Sequence, residues 1–197
     1  MSNTLQLSDT FTAKFPVFSL AYHSRSGTLI VGGGGGPSRS GVPNGLLLLR
    51  LVPASTCKSK FALQEQDELR TGDEAVMCLS LYDDKTAEDC LLVAGVNDRC
   101  WLLEYSPDAT AASLLISNTP GNRISSLAKS LNSNAQASSL SSKPFNLLRT
   151  MQSDASPNDD GYLRVTRFIS EGRSVLAAGS DGSVREWTVP EMRLVNK

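Results

Sequence analysis

The chain has few of the residues that most enzymes and metal centres need. Its only histidine is His23, which does not lie near a Gly-x-Ser-x-Gly elbow, so a Ser-His-Asp hydrolase is not indicated. The four cysteines form no Cys-x-x-Cys pair, and their scattered positions lack the spacing of known zinc sites. They are Cys57, Cys78, Cys90 and Cys100. These absences argue against covalent catalysis and predict reduced thiols.

The chain also has no excess of charge of one sign and no long apolar run. Its formal net charge is −1, so the sequence lacks the basic composition typical of a nucleic-acid-binding protein. No run of 18 apolar residues occurs, and the N-terminus lacks the basic start and apolar core of a signal peptide. These features predict a location in the cytosol or on the cytosolic face of a membrane.

Short apolar runs separated by glycine and turn residues predict an all-β fold. Three similar units begin at Val17, Val76 and Arg164, and each reads as a hairpin, a glycine-containing turn and a third strand. The run from Leu176 to Trp187 resembles the last two strands of a WD-repeat blade, although Trp187-Thr188 replaces the usual Trp-Asp. A generic hairpin is the alternative. The recurrence favours a WD-repeat-like β-propeller with about three blades, forming one domain over residues 1–197.

One segment differs in composition from these units. Residues 122–153 include no acidic side chain, and Ser125–Ser142 is rich in serine, asparagine and alanine. Such a composition buries too little apolar surface to order itself. We therefore predict a mobile insertion over residues 122–160 within the propeller domain.

The most informative stretch is the glycine-rich segment that separates two apolar runs. Five glycines, Gly32–Gly36, are followed by Pro37 and Pro43, which predicts a strand, a shaped loop and another strand. A dinucleotide fingerprint would need a helix after its glycines, and a P-loop would need Lys-Ser/Thr where Val42-Pro43 stands. No nucleotide cofactor is therefore expected.

The same segment carries a family resemblance. Phe15-Pro-Val-Phe18 precedes Gly33–Gly36, four variable residues follow, and Gly41-Val-Pro-Asn44 completes the pattern. This arrangement resembles the endoplasmic-reticulum exchange factors for the Sar-type small GTPase, the prolactin regulatory element-binding protein family. The resemblance implies a seven-bladed propeller, of which this chain would be the N-terminal part. The family is about twice as long and ends in a membrane anchor, so a fragment is expected, with membrane attachment only through an anchor absent from this chain.

The resemblance also implies a function. It predicts a guanine-nucleotide exchange factor that starts coat protein complex II budding from the endoplasmic reticulum by binding alone, without covalent chemistry. The loop would fold around a potassium ion held by Gly34, Gly35, Gly36 and Asn44, although Asn44 could instead be a simple turn cap. It would contact the GTPase through Ser38, Arg39, Ser40, Gly41, Val42 and Pro43. The alternative is a propeller scaffold without exchange activity.

Overall fold

The computed structural model describes residues 10–37, 40–53, 61–87, 89–107, 144–155 and 161–196. These residues form twelve strands. The strands are β1 (Val17–His23), β2 (Thr28–Gly33), β3 (Gly45–Pro53), β4 (Phe61–Arg70), β5 (Val76–Tyr82), β6 (Cys90–Val96), β7 (Arg99–Tyr105), β8 (Phe145–Gln152), β9 (Leu163–Ile169), β10 (Ser174–Gly179), β11 (Val184–Thr188) and β12 (Leu194–Asn196). Within these ranges no helix is long and apolar enough to cross a membrane.

The strands form three four-stranded antiparallel sheets, in the orders β1-β2-β3-β4, β5-β6-β7-β8 and β9-β10-β11-β12. We call these sheets blades 1, 2 and 3. The first strand of blade 2, β5, contacts the first strands of both neighbours, β1 and β9. Three consecutive meanders joined through their first strands have the architecture of a β-propeller. The predicted fold class, an all-β WD-repeat-like propeller with about three blades, is confirmed.

The core lies between the blades rather than within one sheet. All seven residues of β6 are buried, because this strand is covered on both faces. Leu92 and Ala94 pack toward blade 1, while Leu91 and Val93 pack toward blade 3. Burial on both faces explains why the strand reads as a continuous apolar run instead of an alternating one.

In blades 1 and 2, the glycine one residue before the end of the second strand marks a close contact with the next blade. A Cβ at Gly32 would lie 2.7 Å from Val76 Cγ1 of blade 2. A Cβ at Gly95 would lie 2.9 Å from Leu163 Cβ of blade 3. Because a side chain at either position would separate the blades, the packing of the blades requires glycine at both.

The number of strands per unit differs from the sequence prediction. Each blade has four strands rather than three, since β4, β8 and β12 were missed. The β4 strand is a polar segment whose side chains are half-buried or exposed, so it carries no apolar signal. The predicted insertion, 122–160, lies largely outside the described residues. Its Phe145–Gln152 portion forms β8 and belongs to blade 2, which corrects the prediction for that part.

The connection from blade 2 to blade 3 is held by a buried carboxylate. Asp154 is only 1% exposed, and its Oδ2 accepts hydrogen bonds from Ser180 N at 2.5 Å, Ser180 Oγ at 2.8 Å and Asp181 N at 3.3 Å. The adjacent Arg185 guanidinium hydrogen-bonds Asp181 and holds the pKa of that carboxyl well below its usual range. These contacts fix the turn between β10 and β11, where Gly182 has a φ of 77°.

A third apolar cluster covers the face of blade 1 that points away from blade 2. It consists of the buried residues Phe15, Val31, Leu47 and Leu49. The segment before β1 therefore folds back over blade 1, and Lys14 ion-pairs with Glu65 of β4 at 2.9 Å. This packing places the residues before β1 beside the glycine-rich segment.

Candidate functional site

The glycine-rich segment is a loop that connects β2 to β3. Gly33 and Gly45 pair at its base in the sheet, and Gly34 N donates a hydrogen bond to Pro16 O at 3.1 Å. The sequence prediction of a strand, a loop and a strand is therefore confirmed. We call residues 34–44 the glycine loop.

Asn44 closes the glycine loop. Its Oδ1 accepts a hydrogen bond from Gly36 N at 2.8 Å, and its Nδ2 donates to Gly36 O at 3.1 Å and to Gly72 O at 3.0 Å. The side chain is only 5% exposed, so these bonds are shielded from water. Because Gly72 lies in the turn between β4 and β5, Asn44 ties the loop to a distant part of the chain. Its role is thus larger than that of a local turn cap.

The close approach to Asn44 also explains one of the glycines. Gly34 has a φ of 150°, and a Cβ at this position would lie 2.1 Å from Asn44 Oδ1. Any side chain here would expel the asparagine from its position. The glycines and the Pro-Asn pair that follows them at fixed spacing therefore have one structural role: they allow the Asn44 side chain to close the loop by hydrogen bonds.

The predicted GTPase-contact residues fall into three groups. Ser38 and Arg39 lie outside the described residues. Ser40 and Gly41 are exposed, and a Cβ at Gly41 would meet no atom within 4 Å. Val42 and Pro43 are half-buried, and Val42 packs against the cluster that includes Phe15. Within the described part of the loop, the solvent-facing residues are therefore Pro37, Ser40 and Gly41.

A cavity of about 330 Å³ adjoins the glycine loop. Loop residues Gly34–Pro37 form one wall, and side chains from all three blades complete it. These are Phe18, Ala75, Met77, Asn97 and Tyr162. Phe18 is 49% exposed, so the cavity presents apolar surface to solvent beside an exposed loop. Sequence reasoning missed this cavity because its lining comes from segments that are far apart in the chain.

The loop offers neutral oxygen atoms rather than carboxylates. Asn44 Oδ1 accepts one hydrogen bond from Gly36 N, and Gly36 O accepts one from Asn44 Nδ2. An amide oxygen has a second lone pair, so both atoms retain the capacity to bind a cation. A set of carbonyl oxygens suits a hard monovalent ion better than zinc or another soft metal. The residues predicted for potassium therefore have suitable chemistry.

Comparison with known proteins finds two similar exchange factors. Over 194 residues, 95% of this chain, the sequence is 29% identical to the guanine nucleotide-exchange factor SEC12 of Rattus norvegicus and 28% identical to that of Mus musculus. The chain spans 44% of the length of these relatives. It matches no protein-family model.

Solved structures support the fold alone. The crystal structure of Sqt1 from Chaetomium thermophilum, a WD-repeat propeller protein, superposes with a TM-score of 0.50 and 18% identity. The match covers 93% of this chain and 35% of that one. A second Sqt1 structure gives the same score at 16% identity. The sequence relatives and the fold agree with the resemblance carried by the glycine loop: over 95% of its length, the chain is similar to guanine nucleotide-exchange factors named SEC12.

Proposed function

We propose that the protein is a guanine-nucleotide exchange factor for a Sar-type small GTPase, acting at the cytosolic face of the endoplasmic reticulum to start coat protein complex II budding. The observation that carries this proposal is the closed glycine loop, whose exposed Ser40 and Gly41 stand on a base fixed by Asn44. The similarity to exchange factors over 95% of the chain supports it.

Exchange requires a difference in affinity between two states of the GTPase. A factor that binds the nucleotide-free form more tightly than the GDP-bound form must, by linkage, weaken GDP binding. A loop with a fixed base suits this task, since little conformational entropy is lost when it docks. The neighbouring cavity of about 330 Å³ is large enough to receive an apolar side chain of the partner. No covalent step is part of the proposal.

Potassium is the second element of the proposal. The ion would be held by carbonyl oxygens of Gly34, Gly35 and Gly36 together with Asn44 Oδ1. Its role would be to fix the path of the loop, because an ion bound to several carbonyls restricts the backbone that carries them. The ion takes no part in any bond-breaking step.

One binding experiment tests the partner and the ion together. The affinity of the chain for a nucleotide-free Sar-type GTPase is measured in potassium and in sodium at equal ionic strength. We expect binding at least about tenfold tighter in potassium, since an ordered loop loses less entropy on docking. Equal affinity in both buffers would contradict the potassium site but would still support binding to the Sar-type GTPase. Absence of binding in both buffers would contradict the proposal that a Sar-type GTPase is the partner, and it would favour a scaffold without exchange activity.

A further inference from the structure

A polar cavity lies between blades 1 and 2, at the end of blade 1 that is far from the glycine loop. Strands β2 and β3 carry the glycine loop at one end, and Arg50 of β3 lies at the other. The cavity opens beside Arg50 and has a volume of about 370 Å³, which is within the range of small-molecule sites. We propose that it binds a phosphate monoester through Arg25, Arg50 and Lys85.

Three basic side chains from separate parts of the chain line this cavity. Arg25 lies in the turn between β1 and β2, Arg50 lies in β3, and Lys85 lies in the connection between β5 and β6. Among the described residues that line the cavity, none is acidic. A concave surface lined by charges of one sign concentrates its electrostatic potential and attracts a counter-ion. The lining therefore favours an anion.

Arg25 is held in place, and its charge is balanced within the protein. Its guanidinium bonds both carboxylate oxygens of Asp83, and its Nη1 donates to Ala87 O at 2.9 Å. These bonds join the β1–β2 turn to the connection between β5 and β6. Nη1 carries a second N–H, for which no acceptor occurs among the described residues. Because Arg25 lines the cavity, it offers a donor whose position is fixed before the ligand binds.

Arg50 and Lys85 supply positive charge that no carboxylate balances. Both residues are exposed, and neither side chain forms an ion pair or a hydrogen bond with any residue that the structure describes. Two unpaired cations at one concave surface repel each other, and an anion between them removes that repulsion. These two side chains are therefore the main source of affinity in the proposed site.

The carboxylates of the neighbouring connection accept hydrogen bonds within the protein. Asp84 Oδ1 accepts from Thr86 N at 3.0 Å and from Thr86 Oγ1 at 2.7 Å. Asp89 Oδ1 accepts from Ser106 Oγ at 2.5 Å. Neither carboxylate lines the cavity. An anion in the cavity therefore meets basic side chains and not a carboxylate.

The charges of the lining favour a phosphate monoester over a diester. A monoester carries about −1.5 to −2 charges at neutral pH, which two unpaired cations neutralise, whereas a diester carries a single charge. The arginine guanidinium can bind two phosphate oxygens at once, and the lysine ammonium acts as a point charge. The hydroxyls of Ser26 and Thr86 already donate their protons, to Thr28 Oγ1 and Asp84 Oδ1. The three basic side chains are thus the donors available to the anion.

Titration calorimetry with inorganic phosphate tests the site on the intact chain at low ionic strength, where exposed charges are least screened. We expect saturable binding of inorganic phosphate and at least about tenfold weaker binding of dimethyl phosphate, a diester. Arg50→Gln and Lys85→Gln are each expected to weaken phosphate binding by at least about tenfold. Arg149→Gln is the matched control, because Arg149 is also an exposed arginine in a strand, β8, but lies outside the cavity. It is expected to change the affinity by less than about twofold.

Vesicle binding identifies the source of the phosphate. The chain is sedimented with phosphatidylcholine vesicles that contain either phosphatidic acid, whose headgroup is a phosphate monoester, or phosphatidylserine, whose phosphate is a diester. Retention on phosphatidic acid vesicles that Arg50→Gln abolishes would support a lipid headgroup as the ligand. Binding of inorganic phosphate without such retention would support a soluble phosphate. The proposal is overturned if inorganic phosphate does not bind, or if Arg50→Gln and Arg149→Gln weaken its binding equally.

Discussion

Replacing Gly41 by aspartate is expected to reduce the affinity for the nucleotide-free GTPase by at least about tenfold. Gly41 is exposed in the glycine loop, has a φ of 75° and has open space where a Cβ would stand. The new carboxylate therefore projects into solvent instead of clashing with the propeller. In the proposed complex this space is filled by the GTPase, so the side chain introduces an uncompensated charge into the interface. Affinity is measured by calorimetric titration.

The chain offers a closely matched control for this variant. Gly182, in blade 3, has a φ of 77° and is exposed, and a Cβ there would likewise meet no atom within 4 Å. Gly182→Asp adds the same charge and the same backbone strain, of about 1 kcal/mol, at a site far from the loop in sequence. It is expected to lower thermal stability as much as Gly41→Asp while leaving GTPase affinity unchanged. Equal affinities for the two variants would contradict the assignment of the loop as the contact surface.

Truncating Asp154 to alanine is expected to cost about 3 kcal/mol of unfolding free energy, or roughly 10 °C in melting temperature. The carboxylate is buried and accepts three hydrogen bonds from Ser180 and Asp181. Because Ser180 N also donates to Tyr162 O at 2.9 Å, removing the carboxylate mainly deprives Asp181 N–H and the Ser180 hydroxyl of this acceptor, at the connection between two blades. Thermal unfolding followed by circular dichroism measures the effect.

The isosteric variant Asp154→Asn separates hydrogen bonding from packing. Its amide oxygen can occupy the position of Oδ2 and accept from the same donors, so it is expected to lose less than half as much stability as the alanine variant. If both variants unfold at the wild-type temperature, the carboxylate does not stabilise the connection between blades 2 and 3.

The strands that could be predicted are those whose residues pack on both faces. The second unit begins at Val76 as predicted, because interblade burial gives β5 and β6 dense apolar runs. The fourth strand of blade 1 was not predicted, because its residues do not pack on both faces. β4 contains Gln64-Glu65-Gln66-Asp67-Glu68, whose pairing with β3 depends on backbone hydrogen bonds and not on apolar side chains.

The same distinction holds for the candidate site: contacts within one short segment could be predicted, and contacts between distant segments could not. The glycine loop and the importance of Asn44 could be predicted, because Gly34, Gly36 and Asn44 lie within one short segment. The bond from Asn44 to Gly72 could not, since it depends on how two turns meet.

The rate of GDP release from a Sar-type GTPase tests the proposed function most directly. The GTPase is loaded with a fluorescent GDP analogue, and release is followed in potassium buffer with excess unlabelled nucleotide, with and without the 197-residue chain. The rat SEC12 relative serves as the positive control. The account predicts that release accelerates in proportion to the concentration of the chain and that Gly41→Asp removes the acceleration. An unchanged release rate at every concentration, beside an active rat control, would contradict it.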